Sequence, residues 1–157
     1  MQDNKEIYDE YVFARHAIQM EDARVVKCNF ENKIPFSTNF PFNIKFSLRH
    51  SVRYVAEDLC YGTLYSKLYV VSKQKSEIIM PIEIVCMGRF RLEQKDMSKE
   101  EFIKQVKLQT VPQLLPYLRG ALSSLSAMAL PVSLMLPTMD VIQSIRKNRE
   151  ARDDGNH

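Results

Sequence analysis

Between Phe42 and Ala56 apolar residues fall on nearly every second position, as Phe42, Ile44, Phe46, Leu48, Val52 and Tyr54. The intervening set, including Asn43, Lys45, Ser47, Arg49, Ser51 and Arg53, is polar. Successive side chains of a strand point to opposite faces, so this period predicts a long strand with one wet face. A helix would scatter the same residues around its whole circumference. The segment therefore commits the chain to a sheet with one side covered.

The neighbouring segments extend that sheet. Glu57-Asp58 reads as a turn, and Leu59–Ser72 as a second long strand, rich in β-branched and aromatic residues, with Tyr61, Tyr65 and Tyr69 on one face. Lys73-Gln74-Lys75-Ser76 is a polar hairpin connection without the Asn-Gly pair of a two-residue turn. The next strand, 78–93, sets Ile82, Ile84 and Cys86 against Glu83, Val85 and Met87. Upstream, 11–20 and Arg24–Phe30 read as one strand interrupted near Glu21-Asp22. Short links between strands predict antiparallel pairing in a meander or a related sheet.

The period then changes. Ser98 is placed as an N-cap with Glu101 three residues on, the spacing of a capping box. Phe102, Ile103 and Val106 begin an apolar stripe that Val111, Leu114, Leu115, Leu118, Leu122 and Leu125 continue. Pro112 and Pro116 are expected to break or kink this run into a short helix and a longer one. An extended connection over 130–137 and a final amphipathic helix from Asp140 complete the reading, with a charged, disordered tail from Asn148. Strands followed by helices predict an α+β domain with the helices on one face of an antiparallel sheet.

Composition limits the functions available. The 157 residues, 45% hydrophobic and 26% charged, suffice for one core without metals or disulfides. The widely spaced Cys28, Cys60 and Cys86, with a polar opening segment, point to a reducing compartment and structural thiols. Four glycines leave little room for a phosphate-cradling loop, no C-x-x-C pair exists, and His16 and His50 stand apart. His50, on the apolar side of its strand, is expected to be an interior hydrogen-bonded group. Adjacent Glu57 and Asp58 would diverge in a strand, and no serine sits in a nucleophile elbow. An enzyme, a cofactor and a metal site are accordingly not expected. The uncharged stretch 120–139 is long enough to span a bilayer, but its four serines, two prolines and amphipathic first half argue against insertion.

The motif Pro112-Gln113-Leu114-Leu115-Pro116-Tyr117-Leu118-Arg119, followed by Leu122–Ala129 and Leu134-Met135-Leu136-Pro137, resembles the helix and connecting segment of the SecB family. The resemblance runs over about 12–145. It implies a four-stranded antiparallel sheet with two C-terminal helices on one face over 11–147, between a flexible 1–10 and the tail 148–157. It further implies a cytoplasmic, ATP-independent holdase for protein export that assembles as a homotetramer, a dimer of dimers. The client groove by position is Ile44, Phe46 and Leu48 with Leu134, Leu136, Met139 and Ile142. Unfolded preproteins are the implied clients, and Glu31 and Glu83 match positions that dock the translocase ATPase SecA.

Three departures qualify that partnership. Lys27 stands where an acid is expected, Met139 replaces an aromatic, and Ala129-Leu130 replaces a Gly-rich loop. The net charge is +3, where the family is acidic. A chaperone dedicated to one antitoxin client is the alternative. Gly120, Ser124 and Ala127 form a small-residue strip that fits either a partner helix or packing on its own sheet. From a different class comes a sheet-based single-stranded nucleic-acid binder, on Lys45, Arg49 and Arg53 beside Tyr65 and Tyr69. Solvated strand faces often carry such charges, as does the basic cluster Arg146, Lys147, Arg149 and Arg152, so nucleic acid is not an expected partner.

Overall fold

The computed structural model describes residues 17–34, 36, 42–94, 96–130, 134–136 and 147. Four strands, β1 (Ile18–Phe30), β2 (Phe42–Ala56), β3 (Leu59–Ser72) and β4 (Ile78–Leu92), precede one long helix, α1 (Lys99–Ala129). All pairings are antiparallel and the order across the sheet is β1-β4-β3-β2. Strands β2, β3 and β4 form the expected meander. The first strand lies beside β4, so β1 and β2 are the two edges.

Register decides which rows meet the helix. Leu64, Ser66, Leu68 and Val70 of β3 pair with Cys86, Ile84, Ile82 and Met80 of β4, and all eight are buried. Ser66 joins this apolar row because its hydroxyl donates to the Ile84 carbonyl at 2.6 Å, which satisfies a group that would otherwise be costly to bury. From α1, Leu114, Leu118, Leu122 and Leu125 pack onto the row, while Val106 packs with Cys60 and Phe90 near the start of the helix. Burial of each such large apolar side chain is worth about 1.5–3 kcal/mol. The polar partners of the same strands face away from the helix.

The helix lies close against the sheet over Gly62 and Gly88, which pair across β3 and β4. A Cβ on Gly62 would meet Thr110 and come within 2.8 Å of the Phe90 ring. Thr110 belongs there because its hydroxyl donates back to the Val106 carbonyl at 2.7 Å, leaving no unpaired donor at the contact.

Two local expectations are corrected. Pro112 and Pro116 do not break the helix, which runs unbroken for 31 residues. Both prolines, four residues apart on one helical face, are exposed, so the carbonyls they leave without donors, those of Leu108 and Pro112, lie on the watered side. The buried stripe opposite continues past both prolines. The interruption expected near Glu21-Asp22 is present, as a bulge between Met20 and Asp22 in the β1–β4 register. His50 occupies the helix-facing side of β2 as expected, but it is exposed because β2 is an edge strand.

The helix start agrees with the sequence reading: the Glu101 amide donates to Ser98 Oγ at 3.2 Å. The reciprocal half of the box is replaced, since the Glu101 carboxylate accepts from Gln105 at 2.7 Å. The expected second helix from Asp140, the opening segment 1–10 and the tail 148–157 lie outside the described residues. No helix among the described residues is long and apolar enough to cross a membrane.

Candidate functional site

The helix-facing row of β2 is only partly covered. Ile44 and Leu48 pack as half-buried residues against the main core, while Phe46 between them is 37% exposed. Leu134 and Leu136 enter the same core cluster, each 5% exposed, with Met135 between them turned outward. This alternation places a short extended segment beside the core, as the Leu-x-Leu pattern implies. The segment is tied to α1 by Ser126, which is fully buried. Its hydroxyl accepts the Leu134 amide at 2.7 Å and donates to the Ser123 carbonyl at 3.2 Å. Its carbonyl accepts the Leu130 amide at 2.8 Å, closing the helix end. Asn32 adds a tether from the end of β1, its amide donating to the Ala129 carbonyl at 2.6 Å.

Five of the seven expected groove residues can thus be placed. Ile44, Leu48, Leu134 and Leu136 meet in one apolar cluster, Phe46 stands open on the same row, and Met139 and Ile142 lie outside the described residues.

A second apolar hollow, absent from the sequence reading as a site, lies at the opposite edge. Val25 of β1 and Pro116, Tyr117, Gly120, Ala121 and Ser124 of α1 line a cavity of about 370 Å³. A Cβ on Gly120 would meet nothing within 4 Å, and Ser124 and Ala127 are exposed. The small-residue strip therefore does not pack on its own sheet. Along β1, every residue from Arg24 to Phe30 is exposed, including Val25, Val26 and Phe30. The signal that could have found this face was the apolar pair Val25-Val26 inside a strand that the topology leaves on an edge.

Glu31 and Glu83 line one depression of about 340 Å³ with Lys67, Tyr69 and Phe30. Both carboxylates are engaged by lysines, Glu83 with Lys27 at 3.1 Å and Glu31 with Lys33 at 3.7 Å. Further along β1, Arg24 binds Asp22, Arg89 binds Glu21, and Arg91 bridges Glu21 and Asp58. The Arg91 hydrogen bond, aided by Arg89, holds the Glu21 carboxyl below its ordinary value of 4.5. A carboxyl lowered in this way stabilises the fold above that value and ceases to as pH falls, with little weight for exposed groups.

The cysteines are all unpaired thiols. Burial pushes Cys60 and Cys86 up to about 11, so both stay protonated at neutral pH. Iodoacetamide is expected to leave them unmodified in the native protein and to alkylate them only after unfolding, as mass spectrometry would count. Cys28, exposed on β1, reports in the same experiment whether that edge is open.

The architecture so described, a four-stranded antiparallel sheet with a long C-terminal helix on one face, is an α+β fold that matches a SecB-like structural neighbour. Among solved structures it resembles the SecB-like chaperone Rv1957 of Mycobacterium tuberculosis, solved in complex with a ChAD peptide from the Rv1956 HigA1 antitoxin. The TM-score is 0.66 at 15% identity, over 79% of this chain and 91% of that one. A protein of unknown function from Streptococcus agalactiae matches at a TM-score of 0.39 and 13% identity, over 77% of this chain and 97% of that one. No family model and no curated protein matches the sequence.

Proposed function

We propose that this chain is an ATP-independent holdase chaperone that takes non-native polypeptide on the apolar surface around Phe46. The observation that carries the reading is the half-covered row Ile44, Phe46 and Leu48 beside the extended Leu134–Leu136 segment, on a SecB-like fold. An edge strand with apolar side chains supplies both burial and free backbone groups to an extended client. Met135, 77% exposed at the rim, adds a flexible contact that suits clients of differing sequence. The action needs no catalysis and no nucleotide, and its setting is the cytoplasm.

Between the two client classes, the charge favours a dedicated antitoxin over general export. The acids expected to dock the translocase ATPase are each tied to a lysine, and one of those lysines, Lys27, itself occupies an acid's position. The fold neighbour's antitoxin peptide is consistent with this choice. Assembly as a homotetramer is part of the same proposal, supported by the bare β1 edge and the open helix flank around Tyr117 and Gly120.

The test is suppression of aggregation of a chemically unfolded preprotein by the purified chain, without nucleotide, with the complex sized by light scattering. A stable complex of one tetramer per client would support the holdase reading for general clients. If the chain leaves the preprotein aggregating but solubilises a co-expressed antitoxin, export is excluded and the dedicated role stands. Inertness toward both overturns the chaperone reading.

A further inference from the structure

The sheet face turned away from α1 divides into two halves of different electrostatic character. On the β1–β4 half, the cations Arg24, Lys27, Arg89 and Arg91 are all taken up by carboxylates. The β2–β3 half carries no carboxylate at any outward position, although both strands are fully described. Of its four cations, Lys45, Arg49 and Arg53 of β2 lie directly across the ladder from Tyr69, Tyr65 and Tyr61, and Lys67 of β3 lies across from Ser47. The register thus pairs each cation of β2 with one tyrosine ring, a coincidence that spacing within either strand alone does not fix.

The repeat has a definite pitch. Four residues separate successive pairs, about 13 Å at a strand rise of about 3.3 Å, so the three pairs run about 26 Å along the sheet. Directly opposed side chains stand about 5 Å apart at Cβ, close enough for one ligand unit to touch both members. Arg53 already lies 5.4 Å from the centre of the Tyr61 ring. Tyr65 at the middle of the row is 39% exposed. The nearest acids are Glu83 on β4, directly across the ladder from Lys67 and also held by Lys27, and Glu57 and Asp58 in the β2–β3 turn, where Asp58 is held by Arg91.

We infer that this outward β2–β3 face binds single-stranded nucleic acid, with Lys45, Arg49 and Arg53 on phosphates and the three tyrosines stacking bases. Acidic polypeptide would satisfy the cations alone. The tyrosine opposite every one of them is what favours a ligand carrying a flat ring beside each negative charge, since base stacking on aromatics is sequence-tolerant. This surface lies on the other side of the sheet from Phe46 and does not rest on the chaperone reading.

The test is fluorescence anisotropy of labelled oligo-dT and oligo-U 15-mers with the full chain, titrated at several salt concentrations. Three phosphate contacts predict that log affinity falls against log salt with a slope of about −2. Arg49→Ser and Tyr65→Ala, both at exposed positions, are each expected to weaken binding about tenfold, whereas Phe46→Thr leaves it unchanged. Absence of binding at 50 mM salt overturns the proposal. So does a silent Tyr65→Ala with full competition by poly-glutamate, which would make the face an acceptor of acidic chains. Loss of binding on replacing Arg146, Lys147, Arg149 and Arg152 by serine, with Arg49→Ser silent, would assign the binding to the tail and equally overturn it.

Discussion

Gly62→Val is expected to lower the melting temperature by about 10 °C or more, and to leave the chain largely unfolded at 37 °C. The glycine sits where α1 touches the sheet, with Thr110 and the Phe90 ring already inside the radius a Cβ needs. Neither neighbour can retreat cheaply. Phe90 is fully buried in the cluster at the start of the helix, and Thr110 is fixed by its bond to the Val106 carbonyl. Overpacking of this kind costs about 1–3 kcal/mol for small additions and more when backbone must separate. For a domain of this size each 1 kcal/mol moves the midpoint by about 3 °C. Thr110→Ala removes the side-chain atoms nearest the new Cβ, so it should recover part of the loss in Gly62→Ala. That recovery would appear as a favourable coupling in a double-mutant cycle. An undisturbed Gly62→Val protein would mean that the helix does not cross the sheet at this point.

Phe46→Thr and Leu136→Ala are expected to separate holding from stability. Phe46 is exposed on an edge strand, and threonine keeps the strand propensity, so the melting temperature should move by no more than about 2 °C. Client affinity should fall about 10- to 100-fold, the equivalent of one aromatic anchor removed from an apolar contact worth about 1.5–3 kcal/mol. Leu136 is 5% exposed and belongs to the main core, so its truncation should cost about 2–5 kcal/mol of stability. Aggregation assays and thermal melts on both variants read the two effects independently. If Phe46→Thr holds clients as well as the parent, the groove does not run along β2.

The sheet was legible because alternation survives any context. Lys45, Arg49 and Arg53 face away from the helix, and Ile44 and Leu48 toward it, since a slip of one residue would bury the charges. The capping serine was legible for the same reason, as a local bond between Ser98 and the amide of Glu101. The prolines were misread because their cost is usually local. Here they fall on the wet face of a helix whose other side is fastened by Val106, Leu114 and Leu118, a fact that depends on the docked position.

The candidate site was legible only in part. Leu134 and Leu136 were placed in the site by the family resemblance, but the buried Ser126 hydroxyl that pins them is eight residues from Leu134 and carries no signal in the sequence. Nor does the sequence say that Phe46 remains open while Leu136 is sealed. Both are single apolar residues in alternating segments. The difference arises because one lies on a sheet edge and the other against the end of α1.

By itself, the amino-acid sequence determined the strand faces, the start of the helix and the apolar stripe that joins them, because each follows from the period of side-chain directions along a short stretch. Tertiary structure alone decided that β1 lies beside β4 and so leaves Val25, Val26 and Phe30 bare on an edge. It also decided that each cation of β2 meets a tyrosine of β3 and no acid. Those outcomes depend on strand order and register, which are settled by contacts between residues far apart in the chain.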